Sequence, residues 1–468
     1  MENSKVNSTE VVISKNSNPS KAITNGIEKL GGISGIVQKG DQVFVKINLR
    51  APYGFPANVN FDSLRTIINL CKDAEAKNVI VGGFPDNGIR TDSISNILGL
   101  QSYIDNLGAE FLFLDDPNLA PLKTVELGEK TIEIPKIILE ADKLIIFNQV
   151  SVDPLFKCTI SLLNSYSLVP NKYQDIQKIT RPGKDYLFLD QYKQDLISNI
   201  LDVYRIKKPS LVINDMFDFL EGAGPYVYKD SNLLHTGLVV IGRDAVAVDL
   251  ITLKLFNIDL LKSDILLEAR NRKLGITDES KINLIGENLD DNRLEVKFSA
   301  YRLDDIIIKN TILKSGRICS GCFNEAYHLL NFVKTHMTKD LKYIKRQYFL
   351  TGENPPEPES LDHIIVFGEC AINSTKNREF RTIRTSSDKN YVETIKGKMG
   401  KESKSQKAQK VKEKTNKQVI EIPGCPPNLF ESLNSILKYY GKSQAPNLSF
   451  YNNLLKSYYQ QASSKKLK

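Results

Sequence analysis

The chain is poor in the features that mark secreted and membrane-spanning proteins. Its 468 residues contain only six cysteines, which is too few for the disulfide framework of a secreted domain. No apolar run is long enough to cross a bilayer, and the first residues lack the apolar core of a signal peptide. We therefore expect a cytoplasmic protein without a membrane partner, whose cysteines serve metal binding or redox chemistry.

The chain also lacks net positive charge outside one segment. The formal net charge is +8, but residues 376–417 hold 14 Lys and Arg against 5 Asp and Glu, so the rest of the chain is nearly neutral. This segment has few large apolar residues, and its most basic part has almost no aromatic residues for base stacking. We interpret residues 374–417 as a Lys-rich flexible insertion and residues 451–468 as a basic tail. A nucleic-acid partner is not expected, although an RNA-associated factor remains an alternative.

Strand and helix patterns alternate through the first 300 residues. Strands are predicted at 11–14, 41–49, 78–83, 110–114, 131–134, 143–148, 210–214, 236–241, 281–285 and 295–298. Helices are predicted at 20–30, 62–76, 94–107, 190–204, 245–256 and 265–272, with an acidic, Gly-rich turn segment at 215–225. This alternation predicts an α/β domain over residues 1–310, built on a mostly parallel sheet with helices on both faces.

Four cysteines follow in a smaller C-terminal α/β unit, predicted at residues 311–373 and 418–450. Cys319 and Cys322 form a Cys-x-x-Cys pair at the start of a predicted helix, 316–333. Cys370 follows a predicted strand at 362–367, and Cys425 follows another at 418–422. Cysteines placed after neighbouring strands would lie at one edge of a small sheet, where such sheets bind ligands.

Four converging thiolates could hold one metal centre. A helix start is expected to lower the pKa of the first pair. Ligand identity alone permits tetrahedral zinc or a 4Fe-4S cluster. We favour the iron–sulfur cluster, because structural zinc sites more often show two Cys-x-x-Cys knuckles. Two alternatives stay open: a non-redox, zinc-stabilised binding protein, and a site in which only the first pair binds metal.

The first domain carries polar residues at positions suited to a ligand. Lys46 and Asn48 share one face of a predicted strand. Asp249 lies within an apolar helix, so its carboxyl must be paired, hydrogen-bonded or protonated. The substrate-binding candidates are Lys46, Asn48, Asp215, Glu221, Gly222, Gly224, Asp244 and Asp249. Asp244 also has a simple explanation as a helix N-cap, and no catalytic residue is assigned.

Several of these residues stand in motifs that resemble the domain-of-unknown-function 362 family over roughly residues 10–300. The motifs are Val-Lys46-Ile-Asn48-Leu, Val79-Ile-Val-Gly82-Gly83, Ala141-Asp142-Lys-Leu-Ile-Ile-Phe-Asn148, Ile213-Asn-Asp215, Glu221-Gly222-Ala-Gly224-Pro225 and Gly242-Arg-Asp244-Ala-Val-Ala-Val-Asp249. Many members resemble iron–sulfur proteins, so the resemblance implies a cluster but no particular reaction. The Pro-Gly-Cys425-Pro-Pro element also resembles the cysteine loop of the cluster-bearing small subunits of hydrogenases.

The chain departs from the family at two places. Val152-Asp153-Pro154 stands where members often carry Lys-x-His, and Leu162-Leu163-Asn164 stands where they carry Leu-Lys-Asn. If that Lys and His bind substrate in the family, the activity is altered or lost here. The sequence thus predicts a cytoplasmic iron–sulfur protein, a possible oxidoreductase acting in electron transfer or in reduction of a small anionic or metal-bound substrate. Its expected partners are that substrate and an electron donor such as a ferredoxin.

Overall fold

A computed structural model describes residues 8–50, 55–85, 90–128, 130–170, 191–337, 346–360, 362–381 and 419–440. These residues form two compact units, the first ending at Tyr301 and the second beginning at Arg302. Most of the predicted Lys-rich insertion (382–418) and the whole basic tail lie outside the described residues. No helix in the described ranges combines the length and apolarity needed to cross a membrane.

The first unit is built on one large sheet. Its strands are β1 (Thr9–Lys15), β2 (Gln42–Ile47), β3 (Asn78–Gly82), β4 (Glu110–Phe111), β5 (Leu122–Leu127), β6 (Lys130–Pro135), β7 (Lys143–Asp153), β8 (Lys157–Cys158), β9 (Leu211–Gly222), β10 (Ser231–Gly242) and β11 (Ile282–Gly286). The large sheet has the order β11-β1-β10-β9-β7-β2-β3-β4, with β8 paired to the end of β7. Strands β5 and β6 form a separate hairpin.

The centre of this sheet is parallel. Pairs β9–β7, β7–β2, β2–β3 and β3–β4 are all parallel, as is β1–β11. Strand β10 is antiparallel to both of its neighbours. The carboxyl ends of β2, β7 and β9 consequently lie side by side, which is the arrangement that places ligands at one edge of an α/β sheet.

Helices cover both faces of the sheet. They are α1 (Pro19–Lys29), α2 (Phe61–Asp73), α3 (Thr91–Leu98), α4 (Leu100–Asn106), α5 (Lys136–Glu140), α6 (Ser161–Tyr166), α7 (Gln191–Ile206), α8 (Ala245–Leu255) and α9 (Asp264–Asn271). Helices α1, α2 and α4 bury apolar side chains on one face, and α6, α7, α8 and α9 do so on the other. Alternate residues of each buried strand therefore enter different cores.

The second unit is a smaller α/β layer. Its strands are β12 (Thr311–Ser315), β13 (Gln347–Thr351), β14 (His363–Phe367) and β15 (Val419–Ile422), and its helices are α10 (Ser320–His336), α11 (Glu369–Thr375) and α12 (Leu429–Tyr440). The strands pair in chain order, and all three pairings are parallel. Their carboxyl ends therefore share one edge.

The predicted α/β class, with a mostly parallel sheet and a second cysteine-bearing α/β unit, is confirmed, but several elements differ. The predicted turn from Asp215 continues as strand β9 to Gly222, because it pairs with β10 in a long hairpin. No strand forms at residues 295–298, where Lys297 O instead accepts from Gly222 N and Lys297 N donates to the Glu221 side chain at the end of β9. The predicted helix 94–107 is divided at Gly99, which has a φ of 65°. Residues 374–381, assigned to the insertion, complete α11 and form a 3-10 turn.

Candidate functional site

The four C-terminal cysteines all lie at the carboxyl edge of the second sheet. Cys319 is the N-cap of α10, four residues after β12, and Cys322 lies in its first turn. Cys370 lies in the first turn of α11, directly after β14. Cys425 follows β15, the parallel neighbour of β14. The fold thus joins positions that are far apart in sequence.

Backbone hydrogen bonds join the loop of Cys370 to the loop of Cys425. The N–H of Gly368 donates to Ile422 O, and that of Glu369 donates to Gly424 O, each at 2.9 Å. Gly368 leaves room for a thiol from the other loop, because a Cβ placed on it would lie 3.2 Å from Cys322 Sγ. Any side chain at Gly368 would therefore press against Cys322.

Burial and neighbouring thiols raise the pKa of three of the four cysteines, Cys322, Cys370 and Cys425. A hydrogen bond with the Cys319 thiol, followed by burial, raises the pKa of Cys322 well above its ordinary value, and the Cys425 and Cys370 thiols add to this effect. Burial, followed by the Cys319 and Cys370 thiols, raises the pKa of Cys425 to about 11. The pKa of Cys370 is also raised, mainly by burial. The helix start was expected to lower the pKa of Cys319 and Cys322. This expectation is wrong for Cys322, because burial and the neighbouring thiols raise its pKa by more than the helix end lowers it.

The four thiols lie at the same sheet edge but do not form a completed metal site. Within the described residues, no group of three His, Cys, Asp or Glu side chains is close enough to form a completed metal site. The four cysteines are free thiols, with Cys319 and Cys322 buried and Cys370 and Cys425 partly exposed. Gathering four groups that would carry like charge is unfavourable unless a cation compensates them. The donor set therefore fits a metal centre that binds thiolates.

In the first unit, Lys46 lies at the end of β2 and is fully buried. Its Nζ donates to Ile47 O at 2.7 Å and to Asn164 Oδ1 at 2.5 Å. Asn48 is also buried, and its Oδ1 accepts from Gln149 N at 2.7 Å. Gly83 packs directly against this lysine, since a Cβ there would lie 2.8 Å from Ile47 O and 3.4 Å from Lys46 Nζ.

Asp249 caps the short helix that carries Asn164. Its Oδ1 accepts from Ser161 N (2.9 Å), Ser161 Oγ (2.7 Å) and Asn214 Nδ2 (2.8 Å), and its Oδ2 accepts from Leu162 N (2.9 Å). The side chain is completely buried, and burial raises its pKa to about 6 against these hydrogen bonds. The predicted need for hydrogen bonds or a proton on this carboxyl is thus met within the fold.

Asp215 lies on the opposite face, on β9. Its Oδ1 accepts from Phe217 N at 2.9 Å, but its Oδ2 has no partner with hydrogen-bond geometry. Burial raises the pKa of Asp215 to about 6, while the Phe217 N–H and the nearby Ser63 hydroxyl act to lower it. This carboxyl is 1% exposed. Among the candidate acidic residues, it is therefore the one whose burial is least offset by hydrogen bonds.

The other candidates have structural contacts. Asp244 caps α8 through Val246 N and Ala247 N, and its Oδ2 accepts from Ile276 N at 3.0 Å. Glu221 accepts from Asn232 Nδ2 (3.0 Å) and Lys297 N (2.8 Å), which fixes the end of the β9–β10 hairpin. Gly222 has a φ of 78°, and a Cβ on Gly224 would lie 2.8 Å from Val152 Cγ2. These contacts explain the residues without a ligand.

Sequence reasoning missed the amides that complete the buried network. Asn148 Nδ2 donates to Asn214 Oδ1 at 2.9 Å, and Asn214 Nδ2 donates in turn to Asp249 Oδ1 at 2.8 Å. Gln149 and Ser63 were also not singled out, although both lie near Asp215. Amides inside apolar strands were the available signal, because buried polar groups need partners.

One comparison with known proteins identifies a family over the N-terminal part of the chain. The model of a family described as domain of unknown function (DUF362) matches residues 43–254, which confirms the resemblance there over a shorter stretch than first inferred. No curated protein sequence matches the chain significantly. Among solved structures, the lactate racemase apoprotein from Thermoanaerobacterium thermosaccharolyticum is similar with 8% identity and a TM-score of 0.36, covering 96% of this chain and 90% of that chain.

Proposed function

We propose that the second unit holds one 4Fe-4S cluster on Cys319, Cys322, Cys370 and Cys425, and that the protein acts in electron transfer or in a reduction. The proposal rests on the observation that three separate loops bring these thiols to one edge of a parallel sheet, where Cys319, Cys370 and Cys425 raise the pKa of neighbouring thiols. A bound cluster would supply one-electron chemistry, and the thiolates would fix its position.

The first unit would bind the substrate, a small anionic or metal-bound molecule, at the edge where β2, β7 and β9 end. The buried Lys46 at the end of β2 supports this proposal, since a buried ionisable group at such an edge is typical of ligand sites. A ferredoxin-like protein would be the electron donor.

Anaerobic purification tests the cluster directly. We expect a brown protein with iron and acid-labile sulfide in equal amounts, about four of each per chain, and a visible absorbance that bleaches on reduction. Cys425→Ser should lose most of this absorbance. Cys71→Ala is the matched control, because Cys71 is buried in α2 of the first unit and should retain the full cluster content.

Two results would contradict the proposal. Colourless protein with one zinc per chain would replace the cluster with a non-redox zinc site. Equal cluster loss in Cys425→Ser and Cys71→Ala would show that the loss reflects general instability rather than ligation.

A further inference from the structure

Within the described residues, a group of three buried oxygen atoms without a partner at ordinary hydrogen-bond geometry is formed by residues of α2, β7 and β9. Its members are Ser63 Oγ, Gln149 Oε1 and Asp215 Oδ2. The three side chains are 0%, 2% and 1% exposed, respectively. They come from three elements, α2, β7 and β9. Buried oxygens without partners are rare in folded proteins and call for an explanation such as a bound ion or water.

The three side chains share one location. Gln149 and Asp215 are direct partners in the parallel pairing of β7 and β9, so their side chains stand next to each other on the same face. This is the face of the sheet that α2 covers. Ile213 lies two residues before Asp215 on β9, and Val239 is the partner of Asp215 on β10; both pack in the apolar core beneath α2. Ser63, in the first turn of α2, lies close enough to the Asp215 carboxyl for its hydroxyl to lower the pKa of that carboxyl by hydrogen bonding.

The orientation of the Gln149 amide is set by backbone carbonyls. Its Nε2 donates to Asp218 O at 2.8 Å and to Asp215 O at 3.3 Å. The nitrogen must face these oxygens, because carbonyl groups accept and do not donate. Gln149 Oε1 is therefore left as an acceptor, beside a second acceptor, Asp215 Oδ2. The Ser63 hydroxyl can turn a lone pair toward the same point.

This donor set selects a cation. An anion would be repelled by the Asp215 carboxylate. The start of α2 does not offer Asp62 N or Ser63 N to an anion, because both already donate to Asn60 Oδ1, at 2.8 and 3.2 Å. A buried carboxylate without a compensating charge is strongly unfavourable. Carboxylate, amide and hydroxyl oxygens are the ligands of hard cations, whereas softer metals prefer nitrogen and sulfur.

We propose that Asp215 Oδ2, Gln149 Oε1 and Ser63 Oγ bind a hard cation of the alkali or alkaline-earth class, Na⁺, K⁺, Mg²⁺ or Ca²⁺. The ion joins β7, β9 and α2 at the carboxyl edge of the sheet. The proposed cation site does not involve the cysteines, so this proposal does not depend on whether they hold a cluster.

Thermal unfolding of the full chain in chloride salts tests this site. After treatment with a chelator and exchange into tetramethylammonium chloride, the protein is titrated with each of the four cations at constant ionic strength. At least one cation should raise Tm in a saturable manner. Ser63→Ala, which keeps a good helix former in α2, should weaken the apparent affinity about tenfold, and Asp215→Asn should remove the response.

Thr91→Val is the matched control, because Thr91 Oγ1 is also buried without a partner but lies in α3. It should keep the wild-type affinity. The proposal is overturned if no cation raises Tm beyond tetramethylammonium, which would leave a water or a proton as the occupant. It is also overturned if Ser63→Ala binds the cation as tightly as Thr91→Val. Equilibrium dialysis of the wild-type protein gives the stoichiometry without any variant, and a value well below one ion per chain would equally refute the site.

Discussion

Asp249→Asn should change how the stability of the protein depends on pH. Burial raises the pKa of Asp249 from 3.8 to about 6, so the folded chain holds this proton more tightly than the unfolded chain. Its contribution to stability is therefore fully present below pH 4 and is lost as the pH rises to about 6. The difference between the two pKa values corresponds to about 3 kcal/mol.

The asparagine variant resembles the protonated acid in shape and charge, and it does not titrate. Ser161 N, Ser161 Oγ and Asn214 Nδ2 can still donate to its Oδ1, but its amide nitrogen cannot accept from Leu162 N as the carboxyl oxygen does. At pH 4 the variant should therefore be less stable than the wild type by about 1–3 kcal/mol. At pH 7 the wild type should have lost about 3 kcal/mol relative to the variant.

Urea unfolding followed by circular dichroism at pH 4, 5, 6 and 7 measures this difference. Subtracting the two curves removes every other titrating group. Asp259→Asn is the control, because Asp259 is exposed and its carboxyl pairs with the exposed Lys262 across 3.9 Å. The reasoning is refuted if the wild type gains stability over Asp249→Asn as the pH rises, since the four hydrogen bonds would then outweigh burial and favour the ionised form.

The remaining predictions concern the two sheet edges. Cys425→Ser should lose the cluster that Cys71→Ala retains, as measured by iron and sulfide content. The cation that stabilises the wild type should bind about tenfold more weakly to Ser63→Ala. Lys46→Met should lower the free energy of unfolding in urea by about 2–4 kcal/mol, because two buried acceptors lose their donor. Lys143→Met, at a partly exposed ion pair, should lower it by less than about 1 kcal/mol, and equal losses in the two variants would contradict this reasoning. Gly316→Ala should destabilise the second unit by more than about 2 kcal/mol, because its Cβ would lie 1.9 Å from Glu353 O. A wild-type Tm for Gly316→Ala would show that this contact relaxes freely.

The sequence predicted the elements whose pattern is local. Strands β2, β7 and β14 are near-continuous apolar runs, and helix α8 follows an Asp N-cap, so each could be recognised within a short window. The same local signal placed all four cysteines after strands or at a helix start. Their shared edge then followed from the general geometry of parallel sheets.

The missed features depend on partners distant in sequence. Residues 215–222 look like a turn because they are acidic and Gly-rich, yet pairing with β10 makes them a strand, which is a tertiary override of local propensity. The hydrogen bond from Lys46 to Asn164 joins residues 118 positions apart, and no local pattern indicates it. The raised pKa of Cys322 likewise reflects neighbouring thiols and burial that only the folded chain creates.

The adjacency of β14 and β15 implies that the second unit can be assembled from two polypeptides. Arg381 and Val419 bound a stretch of chain outside the described residues, and in the described part of the second sheet β15 is the last strand, paired with β14. A cut between those residues would yield a short fragment that carries Cys425 and α12 and can add to the exposed edge of the longer one, as recognition peptides add to open sheets. If all four cysteines hold one cluster, reconstitution becomes visible as colour, because neither fragment alone carries the complete ligand set.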